Sequence, residues 1–328
     1  MKKIAVFGSA VVDVILKSDE FKVVKNRSVK GGVALCEVFG GKVEAQESFV
    51  LTGGAGTNIS VGLSRMGFVT SCVARVGGGL LAGVIIEKLK EEGVDVSMVQ
   101  EDEKGKTAVS AVLVASNGGR SIVTHRGVSR EIDSREVDWG KIKNADWIQV
   151  SSLGGNMSLL EDVVGFARKH EVAVGLNPGH GEIEHGDRLK KVLKGVDFLS
   201  VNLLEAMGIL GVKDRSEEDL VGGFLKLGVA RVAITNGDQG AVFGDEKILV
   251  KADGLTVKSV DDTGAGDGFA SGVVAGILMD RTAEETLKMG LANGASVVTR
   301  MGAKEGLLRK VEMDKWLKRK VRTEVENL

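Results

Sequence analysis

Short β-branched runs bounded by glycine alternate along the chain with longer helical patterns, and this alternation is the strongest constraint on its fold. Ile4–Phe7, Thr70–Val76, Trp147–Val150, Val172–Leu176, Phe198–Val201 and Val229–Thr235 read as strands. Thr57–Met66, Leu80–Glu92, Ser158–His170, Glu217–Leu227 and Ala265–Met279 read as helices. Strands separated by such helices build βαβ units, so the expected core is α/β, with a mostly parallel central sheet flanked by helices on both faces. Residues 15–52 and 98–127 break the rhythm. They alternate polar and apolar residues around glycine-rich turns, as in Thr107–Val114, Asn117-Gly118-Gly119 and Ser121–Thr124. We expect these hairpins to form a small β-sheet lid, leaving 1–14, 53–97 and 128–328 as the α/β core.

Composition removes several other classes. Of 328 residues 46 are Gly and 1 is Pro, with 43% hydrophobic, which fits a globular chain and neither a disordered nor a collagen-like one. With 44 Lys+Arg against 45 Asp+Glu, the formal charge of −1 offers no field for nucleic acid or an anionic membrane. Cys36 and Cys72 are too few for a disulfide framework and are expected as buried free thiols. The apolar run after Lys2 and Lys3 breaks at Gly8-Ser9 before any signal-peptide core develops, and no uncharged apolar stretch is long enough to span a bilayer. The expectation is a soluble cytoplasmic protein. The basic tail Lys315–Lys320 reads as an amphipathic closing helix.

The strongest local feature is Val260-Asp261-Asp262-Thr263-Gly264-Ala265-Gly266-Asp267-Gly268-Phe269, which leads into a helix of small residues. Small residues at a helix start let backbone N–H groups converge at the positive end of the dipole and make an anion site. Asp267 beside that pocket would be kept ionised and suits general-base chemistry on a hydroxyl that attacks a phosphoryl group. Spacing alone fits equally well an Asp267 that only caps the helix.

Asp261–Asp267 resembles the C-terminal signature of the ribokinase/PfkB family of carbohydrate kinases, and Gly53-Gly54-Ala55-Gly56-Thr57-Asn58 resembles its N-terminal one. Gly8–Asp13, Asn202-Leu203-Leu204-Glu205, Thr235–Gly240, Ala292–Ala295 and Thr299–Ala303 match further family stretches in order. The resemblance implies a ribokinase-like fold with a β lid that often mediates homodimers, and ATP-dependent phosphorylation of a hydroxyl, a primary one, on a small sugar or sugar derivative. It implies Asp267 as general base and the amides of Gly264, Ala265 and Gly266 as anion hole, with Asp13, Gly53, Gly54 and Asn58 on sugar hydroxyls. Asn202 and Glu205 match a phosphate and Mg²⁺ motif, Glu205 acting through water, and Thr235, Gly237, Gly240 and Asn293 match the ATP pocket. Asp261 matches a cation ligand of K⁺-dependent members. The plain structural alternatives are a turn carboxylate for Asp13 and a first-turn helix acid for Glu205.

Some residues depart from the pattern or stand outside it. Asp262 replaces a usual Thr, and Gly79 in Val76–Gly83 replaces a common Asp. Arg126 at a lid hairpin end is either a solvated turn residue or a partner for a substrate carboxylate or phosphate, which would favour a sugar acid. An adenosine-like nucleoside acceptor is the alternative within the family, weakened by the absence of Tyr. Outside it, Gly77-x-Gly79-Leu80-Leu81-Ala82 with Asp95 fits a dinucleotide fingerprint, and so an NAD(P)-dependent oxidoreductase. A non-catalytic sugar-binding module is the third class, against which Asp267 stands. His180 and His185 lack helical metal-ligand spacing and read as a loop near the active site.

Overall fold

The uniformly apolar run at the N-terminus becomes β1 (Lys3–Phe7), buried on both faces as a parallel strand between helical layers must be. The structure is a computed structural model that describes residues 1–29 and 32–327; residues 30–31 of the expected lid and residue 328 of the expected core lie outside the described residues. After β1 the chain forms β2 (Val11–Ser18), β3 (Lys22–Lys25), β4 (Val33–Cys36) and β5 (Glu47–Gly53). It continues through α1 (Ala55–Arg65), β6 (Val69–Gly78), α2 (Leu80–Glu91), β7 (Asp95–Lys106), β8 (Ala108–Ala115) and β9 (Arg120–His125). Next come α3 (Trp139–Ile142), β10 (Trp147–Val150), α4 (Met157–His170), β11 (Ala173–Leu176), α5 (His180–Ile183) and α6 (Asp187–Leu193). β12 (Phe198–Asn202), α7 (Leu203–Leu210), α8 (Glu217–Lys226), β13 (Val232–Thr235), β14 (Ala241–Gly244) and β15 (Ile248–Ala252) follow. α9 (Ala265–Leu278), α10 (Ala283–Val297), α11 (Lys310–Trp316) and β16 (Thr323–Asn327) complete the order.

The large sheet has ten strands in the order β16-β15-β14-β13-β12-β11-β10-β1-β6-β7. Strands β13 through β7 pair in parallel, whereas β14, β15 and β16 add an antiparallel edge. Strand order runs outward from β1 in both directions, so the carboxyl ends of β1 and β10 flank a topological switch point, where a crevice forms. β10 feeds both layers: Trp147 packs with Ile59, Phe269 and Leu287, while Ile148 packs with Leu160, Val163 and Leu189. On the first of these faces α1 and α9 pack backbone-close, since a Cβ on Gly62 would lie 2.5 Å from the Ser271 hydroxyl. That contact places the N-terminal turns of the two helices side by side.

A separate four-stranded sheet, β5-β2-β8-β9, stands beside the core, and β3 and β4 form a two-stranded ribbon. β8 and β9 are the hairpin expected around Asn117–Gly119, where Gly118 takes φ 82. The expected lid boundary at 98 moves. β7 is the parallel partner of β6 in the large sheet, reached through the crossover α2. As an edge strand it has one covered side, so its sequence alternates like that of a hairpin strand. At the other boundary β2, with Asp13, already belongs to the small sheet.

Three further expectations change. Cys72 is buried, but Cys36 is exposed at the end of β4 in the two-stranded ribbon. The closing helix stops at Trp316, on whose ring Arg319 stacks at 3.8 Å, and the chain then runs as β16 along β15. His180 opens the short helix α5 and meets Glu184 at 3.1 Å. Among the described residues no group of three or more His, Cys, Asp and Glu can hold a metal ion, and no helix is long and apolar enough to cross a membrane.

Candidate active site

The loop after β1 is the first wall of the crevice. The Ser9 hydroxyl accepts the Ala55 N–H at 3.1 Å and the Ser9 carbonyl accepts the Gly56 N–H at 3.1 Å, so the start of α1 is capped from β1 rather than by its own preceding residue. This approach needs glycine: Gly54 has φ 93, and a Cβ there would lie 2.5 Å from the Ser9 carbonyl oxygen. Asp13 of β2 lies against the same loop, with its Oδ2 only 2.1 Å from where a Gly53 Cβ would stand. Burial raises the Asp13 carboxyl above its ordinary value, opposed by the Ser110 hydrogen bond and the Lys304 charge, and reinforced by Asp261 and Glu305.

The second wall is the start of α9. Gly264 takes φ 81, and its backbone passes so close to Ala303 that a Cβ would lie 2.6 Å from the Ala303 methyl. The helical ladder begins with the Gly268 N–H to the Gly264 carbonyl at 2.8 Å, so the Gly266 amide lies ahead of it on an exposed face where a Cβ would meet nothing. The Ala265 N–H turns back to the Asp262 carbonyl at 3.3 Å. Asp267 follows in this first turn, half-buried, and its Oδ2 accepts from Asn58 Nδ2 of α1 at 2.8 Å. Burial pushes Asp267 up to about 6, against the Asn58 hydrogen bond and the Lys304 charge and with the help of Glu205. The expected fully ionising pocket is therefore a desolvating one, in which the carboxylate holds its charge at neutral pH with a stronger pull on a proton.

Lys304 is absent from the motifs above, yet it is 1% exposed at the centre of the site. Its ammonium donates to the Thr52 carbonyl at 2.6 Å and to Asn58 Oδ1 at 2.7 Å. Burial draws its pKa down to about 8, against the pull of Glu305, Asp13, Asp267 and Cys72. The only sequence signal was position, because Lys304 directly follows Gly302-Ala303 and precedes the apolar Leu307-Leu308.

The third wall joins the carboxyl ends of β12 and β13, where Asn202 and Thr235 are register partners. Asn202 caps α7: its Oδ1 accepts the Glu205 N–H at 2.9 Å, and Glu205 Oε2 accepts the Asn202 N–H at 2.9 Å. Burial raises the Glu205 carboxyl, opposed by hydrogen bonds from Asn202. Glu205 is thus a helix-capping acid that also bears electrostatically on Asp267. Gly237 (φ 58) and Gly240 (φ 114) shape the turn after Thr235, closed by the Asn236 N–H to the Gly240 carbonyl at 2.8 Å.

Some expected site residues lie elsewhere or are otherwise engaged. Asn293 is 0% exposed; its Nδ2 donates to the Gly268 carbonyl and its Oδ1 accepts the Leu308 N–H at 2.8 Å, which makes it an internal clamp between α9, α10 and the Lys304 loop. Asp261 is occupied by protein donors: Arg120 of β9, the amide and hydroxyl of Thr263, and the Gly302 N–H at 3.0 Å. Burial works against its charge, but these bonds and the Arg120 guanidinium hold its carboxyl below the ordinary value. A K⁺ ion does not fit that donor set as it stands. Asp262 is exposed and accepts the Ser259 hydroxyl at 2.7 Å. Arg126 is exposed on the connection after β9. Asp95 is tied to Lys141, Ser71 and Ser97 at the start of β7, so the dinucleotide reading loses its ribose acid.

Comparison with known proteins identifies the family and the fold. The sequence description of the pfkB family carbohydrate kinase matches residues 1–310. A ribokinase from Haemophilus influenzae is 26% identical over 276 residues, covering 82% of this chain and 88% of that one. A 2-dehydro-3-deoxygluconokinase from Bacillus subtilis is 28% identical over 269 residues, covering 77% of this chain and 82% of that one. The structure of Arabidopsis thaliana ribokinase complexed with ribose and ATP superposes with a TM-score of 0.79 at 24% identity, over 97% of this chain and 99% of that one.

Proposed function

Since the chain belongs to the pfkB family of carbohydrate kinases, we propose that it phosphorylates a primary hydroxyl of a small sugar or sugar derivative with ATP. The observation that carries this reading is one helical turn: Asp267 stands beside the unengaged Gly266 amide at the start of α9, with Asn58 orienting its carboxylate. Asp267 accepts the acceptor hydroxyl's proton as that oxygen bonds to the γ-phosphorus and the bond to the leaving ADP oxygen breaks. The amides of Gly264 to Gly266 stabilise the negative charge of the phosphoryl group in transit. Asp13 and the backbone of Gly53 and Gly54 hold the other hydroxyls, since a carboxylate accepts two such bonds. Asn202, Thr235, Gly237 and Gly240 line the nucleotide. Glu205 fits Mg²⁺ through water only, because its carboxylate already accepts the Asn202 N–H. Mg²⁺, when bound, would offset the negative charge of the nucleotide's phosphates. The small sheet serves as the lid over the acceptor, excludes water and can join two copies.

The test is an ADP-release screen across pentoses, hexoses, sugar acids, inositols and nucleosides, with Asp267→Asn as the blank. One class should stand far above the blank. A wild-type protein that releases no more ADP than Asp267→Asn with every acceptor overturns the reading, and a nucleoside as best acceptor replaces the sugar.

A further inference from the structure

The site contains one full positive charge that the proposed chemistry leaves without a task. Lys304 reaches it from a loop whose own position is clamped. Arg65 Nη1 donates to the Lys304 and Leu307 carbonyls at 2.8 and 2.7 Å, while its Nε and Nη2 grip Glu92 at 2.9 and 2.7 Å. Both members of that ion pair are nearly buried, at 11% and 5% side-chain exposure, so the loop is held by more than its backbone.

An ammonium only donates hydrogen bonds. With Lys304 fixed at 2.7 Å, the Asn58 amide must turn its oxygen toward Lys304 and its NH₂ toward Asp267, which it meets at Oδ2 at 2.8 Å. The chain Lys304, Asn58, Asp267 therefore has one polarity. It occupies Oδ2 of the carboxylate and leaves Oδ1 for another partner. The charged and titratable groups facing this chain are Glu305, Asp13 and Cys72 around Lys304, and Glu205 around Asp267. All four are acidic groups, and among the described residues Lys304 is the only cation facing them.

The geometry points to Lys304 as a positioning residue for phosphoryl transfer: through Asn58 it fixes which Asp267 oxygen receives the acceptor's proton, and its buried charge keeps that oxygen unprotonated at neutral pH. This rests on Asp267 being the base. The proton goes from the acceptor hydroxyl to Asp267, and Lys304 exchanges none.

The experiment records kcat and kcat/KM against pH for wild type, Lys304→Met, Lys304→Gln and Asp267→Asn, using the best acceptor of the screen, with thermal unfolding in parallel. Opposite charges at close range move a carboxylate by one or more pH units, so loss of Lys304 should move the acid limb up by about one unit. At pH 7 kcat should fall about twofold and at pH 6 about fivefold, more than acceptor KM changes, and raising the pH should restore most of the lost rate. A lysine with only a structural role would lower the rate alike at every pH with the limb in place, and that result overturns the proposal. Should Lys304→Met fail to fold, Lys304→Gln carries the test, because it retains a donor to Asn58 without the charge. A folded Lys304→Gln with the wild-type limb overturns the charge role. Asp267→Asn separates the two readings: near-wild-type kcat there removes the base, whereas an inactive Asp267→Asn with unmoved Lys304 limbs removes Lys304 alone.

Discussion

Two parts of the crevice are built on opposite plans. The cluster of Asn58, Lys304 and Asp267 with Asp13 beside it is largely buried, and its bonds link residues 209 and 246 positions apart in the chain. The turns after β12 and β13 are more open, and their bonds are local: Asn202 and Glu205 cap each other over three positions. Buried groups in a low dielectric interact strongly and resist reorganisation, which suits bond making and proton transfer. Locally bonded turns at strand ends can adjust to a nucleotide with little cost to the rest of the fold.

Asp267→Asn probes that contrast most severely. An amide cannot take the hydroxyl's proton, so kcat should fall about 10³-fold while the unfolding midpoint stays close to wild type. Retained turnover would place the chemistry elsewhere and dissolve the distinction between the two parts. The wild-type rate should also rise with pH through about 6, because Asp267 must be ionised to act and burial has raised its pKa. A limb near the ordinary carboxylate value would remove the role of desolvation.

Asp13→Ala comes next. It removes the acceptor for substrate hydroxyls and should raise acceptor KM about 100-fold with ATP KM nearly unchanged. Equal changes in both constants would mean that the buried cluster and the open turns act as one unit. Arg120→Ala tests the ion pair that, alone among the described residues, joins the small sheet to the loop before α9. Arg120 is 32% exposed at its side chain, so solvent weakens the pair, and kcat/KM should fall only about fivefold. Because Arg120 already compensates Asp261, replacing K⁺ by tetramethylammonium should leave the wild type within about twofold, whereas Arg120→Ala should respond to K⁺. A wild type that stops without K⁺ would show that the guanidinium yields Asp261 to the ion.

The same contrast explains what the sequence made legible. Parallel strands announced themselves as uninterrupted apolar runs such as Ile4–Phe7, and short-range motifs such as Asn202-x-x-Glu205 carry their geometry in their spacing. β7 did not, because an edge strand covered on one side has the alternation of a hairpin strand. β16 was missed because its exposed charged residues give no core-facing pattern and its pairing with β15 is decided by the fold. Lys304 had no signal of its own, since a lone Lys in a loop reads as solvated until Asn58 and Thr52 close over it. Asn293 is the converse case: its motif gives no sign that α9 and the Lys304 loop take up its amide.

Glu205→Gln should give the smallest effect and the most informative sign. Glu205 adds negative charge near Asp267 and so raises its pKa, whereas Lys304 lowers it. Neutralising Glu205 should therefore move the acid limb down by a few tenths of a pH unit, opposite to Lys304→Met, as expected for a weaker and more solvated charge. Gln retains the acceptor for the Asn202 N–H, so α7 should keep its cap and the unfolding midpoint should hardly move. A water-mediated contact to Mg²⁺ would then appear as a severalfold rise in the Mg²⁺ concentration needed for half-maximal rate, because an amide attracts a hydrated cation less than a carboxylate does. An unchanged Mg²⁺ requirement with a shifted limb would leave Glu205 as a cap whose charge tunes Asp267. An unmoved limb would mean that the open turns and the buried cluster do not communicate even electrostatically.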